Sequence, residues 1–135
     1  MTLLTWSHAC AVGVQAMDDQ HGILMDTMNE LHKALVRGCT REQLEEHLGR
    51  LSEFSRLHFV CEEQLLERHG FPGLEAHRNA HQQLMREINE TAERVGHTDG
   101  VEVPALLNFL RTWYAGHIEG LDQEYGTWLN ERGIY

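Results

Sequence analysis

Much of what usually betrays a function is missing from this chain. Its three cysteines, Cys10, Cys39 and Cys61, are odd in number and form no CxxC. Neither a disulfide framework nor a thiolate zinc site is therefore suggested. No apolar run approaches the ~18 residues that a membrane span needs, so membrane insertion is not expected. Positive charge is scarce: 11 Lys and Arg stand against 21 Asp and Glu, giving a formal net charge of −10. That balance argues against nucleic acid and anionic membrane surfaces as partners. The opening Met1-Thr2-Leu3-Leu4-Thr5-Trp6 lacks the basic segment of a secretory signal, and a reducing cytoplasm is the expected location. Strand signals, low-complexity stretches and sequence repeats are also lacking. No His-Glu dipeptide occurs, which removes the HExxH zinc peptidases. No glutamate stands three before any histidine, which removes the ferritin-like di-iron oxidases. No CxxCH offers covalent haem attachment.

What remains is helical. The 135 residues suit one domain with a real core. Residues 1–17 carry no sustained helical period and read as an extended arm, with Trp6, Val12 and Val14 available to pack on a bundle. A first helix over about 18–37 opens on Asp18 or Asp19 and carries Leu24, Met28, Leu31 and Leu35 at helical spacing. Thr40 and Gln43 make a capping-box pattern ahead of a second helix over 41–69. A third spans 73–95 and stops at Gly96. A fourth covers 103–131, with Pro104 tolerated near its start. Short breaks between four amphipathic segments predict an all-α, antiparallel up-down-up-down four-helix bundle.

Ten histidines in such a chain is the compositional outlier. In an antiparallel hairpin, residues at one height lie symmetrically about the turn. His21 and His58 are symmetric about Cys39–Thr40, inside the break Arg37-Gly38-Cys39-Thr40. His58 with His81, and Glu62 with His77, are both symmetric about His69–Gly70, beside the turn Gly70-Phe71-Pro72-Gly73. His81 and His117 are symmetric about Asp99, inside Gly96-His97-Thr98-Asp99-Gly100. Three independent turns thus bring these ligand-type side chains to one level, and Asp122 follows His117 on the last helix. Imidazoles with carboxylates suit metals such as iron or manganese. Burying such a set without a cation would be strongly destabilising.

The set also has a count. Two carboxylates, each bridging two metals, give each metal two oxygens, and a shared oxo or hydroxo group adds a third. Five histidines then complete six-coordination at one metal and leave the other five-coordinate. One vacant position, open to a small exogenous ligand, is expected. His117 and Asp122 are five apart, about 140° on an ideal helix, so the spacing predicts a π-type widening between them. Glu124 aligns better by angle but lies about 10 Å along the axis.

His21 after Asp18-Asp19-Gln20, the run His58-Phe59-Val60-Cys61-Glu62-Glu63, His77-x3-His81 and His117-Ile118-x3-Asp122 together resemble the hemerythrin family in its bacterial single-domain form. The resemblance covers nearly the whole chain and implies a single hemerythrin-like domain over 1–135. It implies two non-haem irons (Fe2+/Fe3+) with an oxo or hydroxo bridge and reversible dioxygen binding, not enzymatic turnover. On that pattern His77, His81 and His117 hold the six-coordinate iron, His21 and His58 the five-coordinate one, and Glu62 and Asp122 bridge. Met17 and Phe71 depart from residues common in the family, and Cys61 beside Glu62 is a thiol expected near the oxidising centre. Dioxygen carriage, delivery or storage is the first reading. The alternatives are O2 or redox sensing through a separate signalling partner, and NO or peroxide reduction. A protein acceptor of O2 is a candidate partner, and a monomer is expected.

Leu24, Met25, Met28, Phe59 and Trp113 are expected to form an apolar wall around the vacancy. His8 and His97 read as solvated. His32, His47 and His69 each lie eleven residues from a ligand on their own helix, about 16 Å along the axis and beyond reach of the same metals. His32 and His47 are symmetric about the first turn, and a hydrogen-bonded pair is expected there.

Overall fold

The computed structural model describes residues 10–97 and 103–135. Trp6 and His8 in the arm, and the third turn at Thr98-Asp99-Gly100, lie outside the described residues, as does the side chain of His97. The elements run α1 (Gln15–Arg37), α2 (Arg41–His69), α3 (Leu74–His97), α4 (Val103–Ala115), a π-helical stretch (Gly116–Leu121) and α5 (Asp122–Asn130). The last three form one continuous rod. With α1, α2 and α3 it makes an antiparallel four-helix bundle, in which α1 packs on α2 and α4, and α2 on α3. No strand occurs among the described residues, and none of the described helices is long and apolar enough to cross a membrane.

The helix starts show what local chemistry decides. Thr40 Oγ1 accepts from Gln43 N at 3.1 Å, and Gln43 Oε1 accepts from Thr40 N at 3.0 Å, a reciprocal capping box. At α1 the expectation of a start at Asp18 is corrected. The helix begins three residues earlier, at Gln15, behind an extended Val14 that offers no side-chain cap. Asp18 instead reaches back out of the first turn, accepting from Val12 N at 2.8 Å and Gly13 N at 3.3 Å. Its carboxylate serves the arm as well as the helix dipole. The end of α3 is also corrected: Gly96 does not stop it, and the helix continues to His97. A lone glycine weakens a helix without necessarily terminating it.

The arm lies against α5. Gln123 Nε2 donates to Ala11 O at 2.9 Å and Asn130 Nδ2 to Gly13 O at 2.9 Å. Gly126 permits this approach, since a Cβ there would collide with the Val12 carbonyl. Val12 and Val14 thereby join Met17, Leu66, Tyr125 and Leu129 in a small apolar cluster. A larger cluster, including Leu31, Leu48, Leu51, Ile88 and Leu110, fills the other part of the bundle. In α1 and α2 the polar residues fall between the two: His21 between Met17 and Leu24, and Glu62 between Phe59 and Leu66.

Candidate metal centre

Each rod contributes to the layer through the face that would otherwise be apolar. His21 comes from α1, His58 and Glu62 from α2, and His77 and His81 from α3. His117 lies in the first turn of the π-helical stretch and Asp122 directly follows it. All seven are buried, with Glu62 and Asp122 fully inaccessible. The widened turn settles the five-residue spacing: an extra residue per turn lets His117 and Asp122 face the same interior. Glu124 is exposed.

The seven side chains fall into two overlapping groups whose ligand-type atoms lie within 4.8 Å of one another. One comprises His77, His81, His117, Glu62 and Asp122; the other comprises His21, His58, Glu62 and Asp122. The carboxylates divide between them by oxygen. Glu62 Oε1 lies 2.6 Å from His77 Nε2 and 2.9 Å from His81 Nε2, whereas Oε2 lies 3.3 Å from His58 Nε2 and 3.5 Å from His21 Nε2. Asp122 Oδ1 lies 3.0 Å from His77 Nε2 and 3.2 Å from His117 Nε2, and Oδ2 lies 3.1 Å from His21 Nε2. Every imidazole turns Nε2 inward.

These atoms are close without being well paired. Neither oxygen of buried Asp122 is aligned for a hydrogen bond, despite separations near 3 Å, and His117 Nε2 is likewise unsatisfied. His21 Nε2 and His58 Nε2 stand 3.1 Å apart, one acceptor facing another unless a proton intervenes. Lone pairs that converge on shared points rather than on each other fit cations at those points. A buried carboxylate with no partner is otherwise costly. The donor set therefore fits two metal ions that share both carboxylates.

Protons do this work when metal is absent. Burial opposes charge on His21 and His77, but the adjacent Asp122 and Glu62 carboxylates outweigh it and raise both to about 9. His58 moves the other way, lowered by burial and by the neighbouring His21 charge despite Glu62. Burial opposes ionisation of Glu62, yet the surrounding rings of His117, His21, His58 and His77 hold its carboxyl well below the usual range.

Several functional neighbours escape a reading by spacing. His58 Nδ1 donates to Gln20 Oε1 at 2.6 Å, and His81 Nδ1 donates to Glu63 Oε2 at 2.9 Å. Because an amide oxygen and a carboxylate only accept, each bond places a ring proton on Nδ1, the arrangement in which the inward Nε2 is the atom available to a metal. Tyr125 Oη, buried, donates to Glu62 Oε2 at 2.8 Å, and burial together with the Glu62 and Asp122 charges pushes its phenol well above the ordinary value. Tyr114 Oη donates to the His21 carbonyl at 3.0 Å. The available signal was chemical: ligating histidines normally donate their other ring nitrogen, and Gln20 and Glu63 stand beside His21 and Glu62.

The wall residues Leu24, Met25, Met28, Phe59 and Trp113 are all buried in the large apolar cluster. Phe59 stacks on His81, with centroids 4.0 Å apart, and meets His117 edge-on. Trp113 Nε1 donates to Leu84 O at 3.1 Å. Two expectations fail. Cys61 is exposed on the outer face of α2, one residue round from Glu62, so its thiol faces away from the buried layer. His32 and His47 form no hydrogen bond: His32 is buried with Nδ1 unpartnered, while His47 is half-exposed beside Arg37, Gly38 and Cys39. Symmetry about a turn sets height, not the rotation that aims a ring.

Comparison with known proteins agrees with this arrangement. Residues 12–129 match the family model described as Hemerythrin HHE cation binding domain. The chain is 30% identical to a Bacteriohemerythrin of Methylococcus capsulatus over 132 residues, covering 96% of this chain and 99% of that one. It is 29% identical to a Bacteriohemerythrin of Stenotrophomonas maltophilia over 125 residues, covering 93% of this chain and 80% of that one. A crystal structure titled as wild-type hemerythrin superposes with a TM-score of 0.83 at 26% identity, covering 93% of this chain and 96% of that one.

Proposed function

The chain belongs to the hemerythrin family, and from that premise we propose that it binds dioxygen reversibly at two irons, for carriage, delivery or storage. His77, His81 and His117 would hold one iron and His21 and His58 the other, with Glu62 and Asp122 bridging. The observation that carries this reading is the division of carboxylate oxygens: Oε1 and Oδ1 face the three-histidine group, Oε2 and Oδ2 the two-histidine group. Such an iron pair, when bound, would supply two electrons to a small ligand.

The chain's own residues favour retention over turnover. Gln20 and Glu63 hold the Nδ1 side of His58 and His81, so Nε2 of each ring is aimed inward before any metal arrives. Leu24, Met25, Met28, Phe59 and Trp113 would keep water from the centre, and a dry wall slows loss of bound dioxygen in reduced form. Tyr125 is the buried phenol nearest the bridging carboxylate, and its burial and the adjacent negative charges hold its proton in place. It is therefore poorly suited to deliver that proton to a ligand, and general-acid chemistry is disfavoured.

The test is direct. Iron-loaded protein is reduced anaerobically, exposed to dioxygen and then evacuated while the visible charge-transfer band is followed. A band that appears and disappears over repeated cycles is expected. A single irreversible oxidation with peroxide release would contradict the carrier reading.

A further inference from the structure

The two histidine groups differ in more than number. His81, in the three-histidine group, gives its Nδ1 proton to a carboxylate, Glu63 Oε2, at 2.9 Å. His58, in the two-histidine group, gives its proton to a neutral amide, Gln20 Oε1, at 2.6 Å. Glu63 is paired on its outer side with Arg78, whose Nε lies 3.4 Å from Oε1 while its other nitrogens meet Glu75 and Glu67. Among the described residues, a chain of charged contacts thus runs from the surface to the three-histidine group: Arg78, Glu63, His81 Nδ1, and across the ring to Nε2.

A carboxylate acceptor draws the Nδ1 proton and makes the imidazole a stronger donor at Nε2; an amide does so much less. A stronger nitrogen donor stabilises the ferric over the ferrous state. The bridging carboxylate is biased in the same direction. Tyr125 donates to Glu62 Oε2, the oxygen facing His21 and His58, and withdraws electron density from that side only. Among the described residues no phenol donates to Oε1, which sits against His77 and His81.

We propose that Glu63 and Gln20 are positioning residues with a second role: their unequal charge, acting through His81 and His58, separates the reduction potentials of the two metals. The three-histidine iron is the harder to reduce, and the two-histidine iron, where the vacancy lies, keeps its ferrous form longer. This inference rests on the di-iron reading but not on dioxygen binding. The chain thereby marks one metal as the electron-rich anchor and the other as the site that meets the ligand.

The test uses whole protein loaded with 57Fe and titrated potentiometrically with dithionite, the oxidation state of each iron being read by Mössbauer spectroscopy. Unmodified protein should reduce in two separated steps, with a half-reduced species that is ferric at the three-histidine iron. Glu63→Gln, which keeps size and hydrogen bonding, should raise the potential of that iron and leave the other nearly unmoved. Gln20→Glu should lower the potential of the two-histidine iron. Each variant should narrow the gap between the two steps, and the double variant should narrow it most, with the equilibrium constant that favours the half-reduced species falling by about 10-fold or more on the scale of outer-partner effects. Equal displacement of both steps in Glu63→Gln would mean a general charge effect and would overturn the inference. Unchanged steps in both variants would overturn it too. Two tightly bound irons with a single unresolved step would sink it while leaving the di-iron reading intact. Failure of the unmodified chain to hold an iron pair would remove that reading and this inference together.

Discussion

Two layers of this bundle are equally buried and chemically opposite. Leu31, Leu48, Ile88 and Leu110 are each wholly inaccessible. Leu31 with Leu48, and Ile88 with Leu110, are symmetric about the same first and third turns as His21 with His58 and His81 with His117, roughly two to three turns further along each rod. One layer is stabilised simply by leaving water, at about 25 cal/mol per Å² of apolar surface. The other loses by the same move, because Glu62, Asp122 and their imidazoles surrender hydration and regain it only in part. The comparison shows that a four-helix frame supplies position, not favour. The apolar layer needs only volume, whereas the polar layer needs a cation.

The largest expected effect follows from removing that cation. A metal at about 1,000 times its dissociation constant contributes about 4 kcal/mol to the native state. Chelation should therefore lower the thermal midpoint by roughly 10–20 °C in a chain of this size. Equal midpoints for stripped and loaded protein, followed by circular dichroism, would erase the distinction between the layers.

Leu48→Ala probes the other side. It should cost about 3 kcal/mol in chemical denaturation through lost contacts and a cavity, by the same amount with and without metal. Iron content should stay at the unmodified level. A cost that depended strongly on metal would mean that the two layers are coupled.

A smaller effect is expected at the seam. Tyr125→Phe removes the hydroxyl that Glu62 Oε2 accepts, and should cost the metal-free protein about 1–2 kcal/mol for an unsatisfied buried acceptor. Loaded protein should lose less, since a metal would satisfy that oxygen.

Acidity separates the layers as well. His21 and His77, raised to about 9 in the metal-free fold, contribute stability that is complete below 6.5 and is lost as the pH rises through about 9. Stripped protein should weaken over that window, while the Leu48 layer has nothing to titrate. At pH 7 both rings hold protons that a metal must displace, so loading in weak buffer should release about two. Calorimetry in buffers of different ionisation enthalpy counts them, and no release would contradict the pairing of these rings with Glu62 and Asp122.

Legibility from sequence divides along the same physical line. Height in an antiparallel bundle is arithmetic about a turn, so His21, His58, His77 and His81 are readable once Gly38 and Gly70 are seen as breaks. The widened turn is readable as well, because no α-helix places residues five apart on one face, and the fourth rod carries a π stretch at Gly116–Leu121. Rotation is different. Whether a ring meets its partner depends on χ angles and on the approach of a neighbouring rod. That is why His32 and His47 share a level but no hydrogen bond, and why Gln20, Glu63 and Tyr125 stayed invisible. Asp18 misled for a related reason. An acidic residue near a helix start fits a cap, but Val14 already begins the helix and the carboxylate turns back to the Val12 and Gly13 amides.

The central claim is that seven side chains in one buried layer hold two metal ions between shared carboxylates. Anomalous scattering at the iron edge from crystals of iron-loaded protein tests it most directly. The account predicts two peaks, one among His77, His81 and His117 and the other beside His21 and His58, both in contact with Glu62 and Asp122. A single peak, or iron bound away from this layer, would contradict it.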